Sequence, residues 1–302
     1  MTDITGARAS HVSLGATPAA DPAPTTAGAT PSAGCGATPG AGRGATPAAG
    51  SAAATGSRSG PSGTAAGSPP DQPLLELVGV RAGYGPIEVL HGVDLGVPPG
   101  AVVAIFGPNG GGKTTTLKVC AGLLAITGGE LRLAGRAVNG ASASQLARLG
   151  VCSIPEGRGI FPNLSVRENL WLATGTGTGR AQIEEAAFTR FPMLADRASQ
   201  LAGTLSGGQQ QMLALSRALG TEPTLVLLDE LSMGLAPIVV AQMYDTVAQL
   251  AAEGLSLLVA EQFARAVLPI AQSAAIMLHG QIVRVGPPAE IEAELSTSYL
   301  GG

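Results

Sequence analysis

The feature that most constrains this chain is a junction: the apolar run AVVAIF (101–106) passes directly into GPNGGGKTTT. Gly107, Gly112, Lys113 and Thr114 stand at the spacing GxxxxGK[ST], after a predicted strand and before a predicted helix. Glycines let backbone N–H groups wrap an anion without Cβ clashes, and a helix start adds the positive end of its dipole. Gly107, Pro108, Asn109, Gly110, Gly111, Gly112, Lys113, Thr114 and Thr115 are therefore expected to cradle the phosphates of a nucleotide. Lys113 would reach the β- and γ-phosphates, and the Thr114 hydroxyl would hold Mg²⁺. Because 44 glycines raise the rate of chance matches, the strand-loop-helix order carries more weight than the spacing itself.

A second stretch answers the first. TLVLLDE (224–230) reads as a buried strand ending in Asp229 and Glu230, which puts both carboxylates at the carboxyl end of a sheet, where open α/β folds bind ligands. Asp229 is expected to support Mg²⁺ and Glu230 to polarise an attacking water. A third stretch, LSGGQQQ (205–211), is polar and glycine-rich yet opens the apolar segment MLALSRAL, so it reads as a helix start that faces something other than the core.

From Leu74 onward, short apolar runs alternate with helical patterns, the texture of an α/β fold. Buried strands are expected at 74–80, 101–106, 151–154, 224–228, 255–260 and 274–278. Helices are expected from Lys113, near Ser165 where SVRE forms a capping box, after Ser206, and from Pro237. Residues 157–221 read as a mostly helical insertion. Residues 1–72 are built from Ala, Gly, Thr, Pro and Ser, with GATP at Gly15, Gly28, Gly36 and Gly44, and the first aromatic is Tyr84. Such a segment buries too little apolar surface to offset its ordering entropy and is expected to be a disordered tail.

Composition excludes some functions. A net charge of −4 gives no basic excess for phosphate-backbone binding, so nucleic acid is not expected as a partner. Cys35, Cys120 and Cys152 form no CxxC pair, which suits a reducing cytosol. The N-terminus lacks a basic start followed by an apolar run, and no apolar stretch approaches the ~18 residues of a membrane span.

Taken in order, GPNGGGKTT, LSGGQ and LVLLDE resemble the ATP-binding subunits of ABC transporters, over roughly Leu74 to Val285. The resemblance implies a P-loop NTPase fold, a RecA-like core with antiparallel β and α-helical subdomains, and ATP with Mg²⁺ as ligands. It places Ser206, Gly207, Gly208 and Gln209 against the phosphate loop of a second, oppositely oriented subunit. Tyr84 falls where the family stacks an aromatic on adenine. Glu156 stands where the family has a Mg²⁺-touching glutamine, and Gln262 stands at a switch position usually held by histidine. Ala236 replaces a customary aspartate, and Leu231 a customary proline. PEGR, SMGLAP and the EQ pair look like the ATPase subunits of branched-chain amino-acid importers. Implied partners are transmembrane permease subunits, a second ATP-binding subunit and, indirectly, an extracytoplasmic solute-binding protein, at the cytoplasmic face of the membrane. Two rivals remain open at this level: an ABC-type ATPase without a membrane partner, and a regulatory subunit that binds ATP but has lost hydrolysis.

Overall fold

The computed structural model describes residues 72–157, 159–176 and 178–300. The expected tail therefore lies almost wholly outside the described residues. In chain order the elements are β1 (Leu75–Tyr84), β2 (Ile87–Val97), β3 (Val102–Phe106), α1 (Lys113–Cys120), β4 (Ile126–Leu133), β5 (Arg136–Ala137), α2 (Ala143–Arg148), β6 (Val151–Ile154), α3 (Val166–Trp171), α4 (Arg180–Arg190), α5 (Pro192–Ala195), α6 (Gly207–Leu219), β7 (Leu225–Asp229), α7 (Pro237–Ala252), β8 (Ser256–Glu261), α8 (Ala264–Val267), β9 (Ser273–Leu278), β10 (Gln281–Gly286) and α9 (Pro288–Leu300).

The strands form two sheets. One is antiparallel, in the order β2-β1-β4-β5, and the other runs β10-β9-β3-β8-β7-β6. In the second sheet β9, β3, β8, β7 and β6 are parallel, and β10 closes the edge antiparallel to β9. Alternation along the central strands supplies two cores. Val102, Ala104, Phe106, Val226, Leu228, Leu257 and Val259 face a helical layer that includes α3 to α7. Val103, Ile105, Leu225, Leu227, Leu258 and Ala260 face the other way, against α1 and the antiparallel sheet. Burial on both sides is why β3, β7 and β8 read as unbroken apolar runs.

Expectation and structure part at the antiparallel sheet. The run at 74–80 is not a strand buried on both faces: it extends to Tyr84, buries alternate residues, and bulges near Gly79, whose φ is +57°. Its partners β2 and β4, and the edge strand β10, were not anticipated, since glycines and charged residues break their apolar pattern. The helix starts hold. Ser165 and Ser206 each cap a helix with a reciprocal bond from Glu168 and Gln209, and Pro237 occupies the first turn of α7.

Candidate active site

The phosphate loop joins β3 to α1 at the carboxyl end of the parallel sheet. A side chain at Gly107 would overlap the Met277 carbonyl oxygen of β9. Gly112 caps α1 with φ +110° and no side-chain bond, and a Cβ there would meet the Met277 Cε at 2.9 Å and the Gly280 Cα at 3.2 Å. The glycines are thus required by close packing against the β9–β10 turn as well as by curvature. That turn is tied to the loop: the Gly280 N–H donates to the Gly111 carbonyl at 2.8 Å. Without a side-chain cap, the first-turn amides of α1 have no intrahelical acceptor, which is the arrangement that binds phosphate.

Lys113 is 3% exposed and points back along the loop. Its ammonium donates to the carbonyls of Gly107 (2.9 Å) and Pro108 (3.3 Å), and lies 3.4 Å from a Glu230 carboxylate oxygen. The Thr114 hydroxyl donates to Asp229 Oδ1 at 3.1 Å. Spacing in the sequence brings Lys113 and Thr114 to one place, and the parallel pairing of β3, β8 and β7 brings Asp229 and Glu230 to meet them. Thr115 is buried beside them.

Burial pushes the Asp229 carboxyl up to about 6; neighbouring Glu230 and Glu156 charges push it the same way, while the Thr114 hydroxyl and Lys113 oppose them. Glu156, exposed in the turn after β6, is therefore near enough to act on Asp229 electrostatically. Among the described residues no three acidic, histidine or cysteine side chains form a ready cation cage. The oxygen donors Thr114 and Asp229 do suit a hard cation that keeps most of its water and takes further ligands from phosphate. Glu230 has φ +49°, in the left-handed region that non-glycine residues seldom occupy, and its amide is held by the Ala260 carbonyl at 2.9 Å. Gln262 is half-buried, directly after β8.

Tyr84 is 45% exposed at the end of β1. The Lys118 ammonium of α1 lies 3.4 Å from its hydroxyl and 5.6 Å from the ring centroid. The cation therefore sits nearer the phenol end than the ring centre, and the contact places the aromatic beside the helix that leaves the phosphate loop. In the signature stretch, the Gln209 amide bonds the Ser206 hydroxyl at 3.4 Å while the Gln209 side chain returns to the Ser206 amide at 2.9 Å. Ser206 is exposed, and Gly207 and Gln209 are half-buried. Gly208 is buried, and a side chain there would run into Val239 of α7.

Three contributors escaped the sequence reading. Lys118 and the Met277–Gly280 turn carry no local signal of their proximity to Tyr84 or to the loop. Glu261, buried at 1%, ends an apolar strand as the first half of the EQ pair, and this pair was noted only for its glutamine. A charged residue closing a strand buried throughout was the available clue.

A glycine loop with a buried lysine, a threonine–aspartate pair and a glutamate at the carboxyl end of a parallel sheet defines a P-loop nucleotide hydrolase. The ABC transporter profile matches residues 90–232. A high-affinity branched-chain amino acid transport ATP-binding protein, BraG of Pseudomonas aeruginosa, is 37% identical over 234 residues, covering 76% of this chain and 100% of the relative. A probable branched-chain amino acid transport ATP-binding protein of Archaeoglobus fulgidus, LivF, is 32% identical over 222 residues, covering 72% and 94%. An Fe(3+) ions import ATP-binding protein of Serratia marcescens is 36% identical over 235 residues, covering 75% and 68%. Among solved structures, an ATP-binding cassette of an ABC transporter in its ADP conformation superposes with a TM-score of 0.66 at 27% identity, covering 74% of this chain and 94% of that one. The chain belongs to the ABC transporter family. It is an ATP-binding subunit and an ATPase that uses ATP with Mg²⁺.

Proposed function

We propose that this chain powers an importer of branched-chain or related amino acids from the cytoplasmic face of the membrane. Two ATPase subunits, each bound to a permease subunit, close head to tail on two ATP molecules; a solute-binding protein delivers the cargo outside. The observation that carries the hydrolytic part is the meeting of Lys113, Thr114, Asp229 and Glu230 at one sheet end. The cargo assignment rests on the full-length match to the branched-chain relative; the iron relative is covered over only 68% of its length. No helix among the described residues is long and apolar enough to cross a membrane, in keeping with attachment through permease partners.

In this reading the backbone amides of Gly107 to Gly112 and the α1 terminus hold the phosphates. Lys113 neutralises the β- and γ-oxygens, and Tyr84 receives the base. Thr114, Asp229 and Glu156 would hold Mg²⁺, which offsets phosphate charge when bound. Glu230 orients the attacking water, and Gln262 donates to a γ-phosphate oxygen without a titrating proton. Ser206, Gly207 and Gln209 of each subunit complete the neighbour's site, with Gly208 letting the backbone sit low on α7. Catalysis is mostly positioning and charge stabilisation.

Glu230→Gln is expected to keep ATP binding and to slow hydrolysis about 100-fold or more, measured as phosphate release by the assembled complex. An unchanged rate would overturn the assignment. Retention of all four residues also disfavours a regulatory subunit without hydrolysis.

A further inference from the structure

Glu261 is the last residue of β8, paired with Phe106 in the neighbouring strand and 1% exposed. One carboxylate oxygen accepts the Ser232 backbone N–H at 2.9 Å and the Tyr244 phenol; the other accepts the Ser232 hydroxyl at 2.8 Å. Burying a carboxylate is costly unless donors satisfy it, and here a backbone amide and two hydroxyls do so. Burial and the Glu261 charge both push the Tyr244 phenol up, so it stays protonated and remains a donor.

The donors are not scattered. Ser232 lies two residues beyond Glu230, and Tyr244 lies on α7, the helix into which that loop runs. The preceding residue of β8, Ala260, holds the Glu230 amide through its carbonyl at 2.9 Å. The last two residues of β8 therefore hold the chain at Glu230 and at Ser232, on either side of Leu231, where Glu230 has a backbone angle that is unfavourable when unsupported. Two turns follow, Met233 N–H to the Glu230 carbonyl and Leu235 N–H to the Ser232 carbonyl, each 3.2 Å; the first encloses the anchored serine and the second hangs from it. Gln262 is the next residue after Glu261, so one carboxylate registers the water-orienting loop and the γ-phosphate contact together.

We propose that Glu261 is a positioning residue for hydrolysis: it clamps the loop of Glu230 to α7 and sets where the Glu230 carboxylate stands relative to the γ-phosphate. The proposal rests on the reading of Glu230 given above. The phosphate loop is held by bonds of its own, from the Lys113 ammonium to the Gly107 and Pro108 carbonyls, from the Gly111 N–H to the Pro108 carbonyl and from the Gly280 N–H to the Gly111 carbonyl, and it meets the clamped segment at the Lys113–Glu230 pair. Loss of the clamp thus acts on kcat more than on ATP affinity, because turnover is sensitive to misplacement of about 1 Å.

The test compares Glu261→Gln, Ser232→Ala, Tyr244→Phe and Glu230→Gln in the full-length chain within its ATPase-active complex. Glutamine is nearly isosteric and keeps one oxygen for the Ser232 N–H and the Tyr244 phenol, but its NH2 group meets the Ser232 hydroxyl as a donor, so that bond is lost or reversed and the remaining bonds lose their charge assistance. Glu261→Gln is expected to lower kcat about 10-fold or more with KM for ATP within about twofold. Ser232→Ala and Tyr244→Phe each lower kcat severalfold, and neither adds its full effect on top of Glu261→Gln. A folded Glu261→Gln complex with wild-type kcat, or one whose loss lies wholly in KM, overturns the proposal. Should Glu261→Gln fail to fold, wild-type kcat in both hydroxyl deletions overturns it as well. If Glu230→Gln itself turns over at the wild-type rate, the reading of Glu230 fails and the positioning role fails with it; normal Glu261→Gln turnover beside a slow Glu230→Gln sinks only the positioning role.

Discussion

Asp229 shows how a single residue trades stability for a site. Its carboxyl is pushed up to about 6 chiefly because it is buried. Between the ordinary carboxylate value near 4 and about 6, the folded chain holds a proton that the unfolded chain has released. Raising pH through that window therefore removes stability, and above about 6 the loss is complete. Asp229→Asn has no charge to bury, so the ligand-free variant is expected to melt a few degrees above the wild type at pH 8. The difference should close as pH falls below about 4, and MgATP binding should weaken. A variant that melts lower than the wild type at pH 8 would contradict burial as the dominant cause. Leu231 makes a related point: where the family customarily has proline, this chain has a side chain 1% exposed within the helical-side core. The residue is tolerated because it fills space. Both observations were half-legible in the sequence, which named the positions but not their depth.

At the scale of elements, helix starts were the most readable features because their chemistry is local. The serine caps at Ser165 and Ser206 each close over three residues, and the sequence shows both ends of the bond. The signature helix has a second requirement that no local pattern reveals, since Gly208 lies against Val239 where α6 meets α7. Gly208→Ala is expected to destabilise the fold by about 1–3 kcal/mol through overpacking. Adding Val239→Ala should recover a good part of that loss, as read from denaturation midpoints in a double-mutant cycle. Strict additivity would show that the two helices are not in contact through this pair. Strands divided by environment: β3, β7 and β8, buried on both faces, were legible as apolar runs. The half-exposed β2, β4 and β10, interrupted by glycine and charge, were not.

At the scale of the molecule, the two ends of the parallel sheet have different characters. The carboxyl end gathers the phosphate loop, Asp229, Glu230 and Gln262. The amino end borders a cavity of about 1000 Å³ among α4, α6 and α7, spanned by the Arg190–Glu253 ion pair at 2.7 Å. Exposure of Ser206 at the head of α6 fits a partner across an interface. A photo-reactive side chain at Ser206, in the ATP-loaded Glu230→Gln assembly, is expected to attach to the phosphate loop of a second ATPase subunit, identified by mass spectrometry. Attachment within its own chain would contradict the head-to-tail arrangement. The sequence by itself determined the phosphate loop, the acidic strand end, the helix caps and the family, because each is written in residues a few positions apart whose bonds close locally. Only the tertiary structure decided which strands share a sheet, that Lys118 meets Tyr84, that Gly280 braces the phosphate loop, and that Glu261 holds the segment after Glu230. Those contacts join residues far apart in the chain, and burial and pairing in space select them, which no local spacing records.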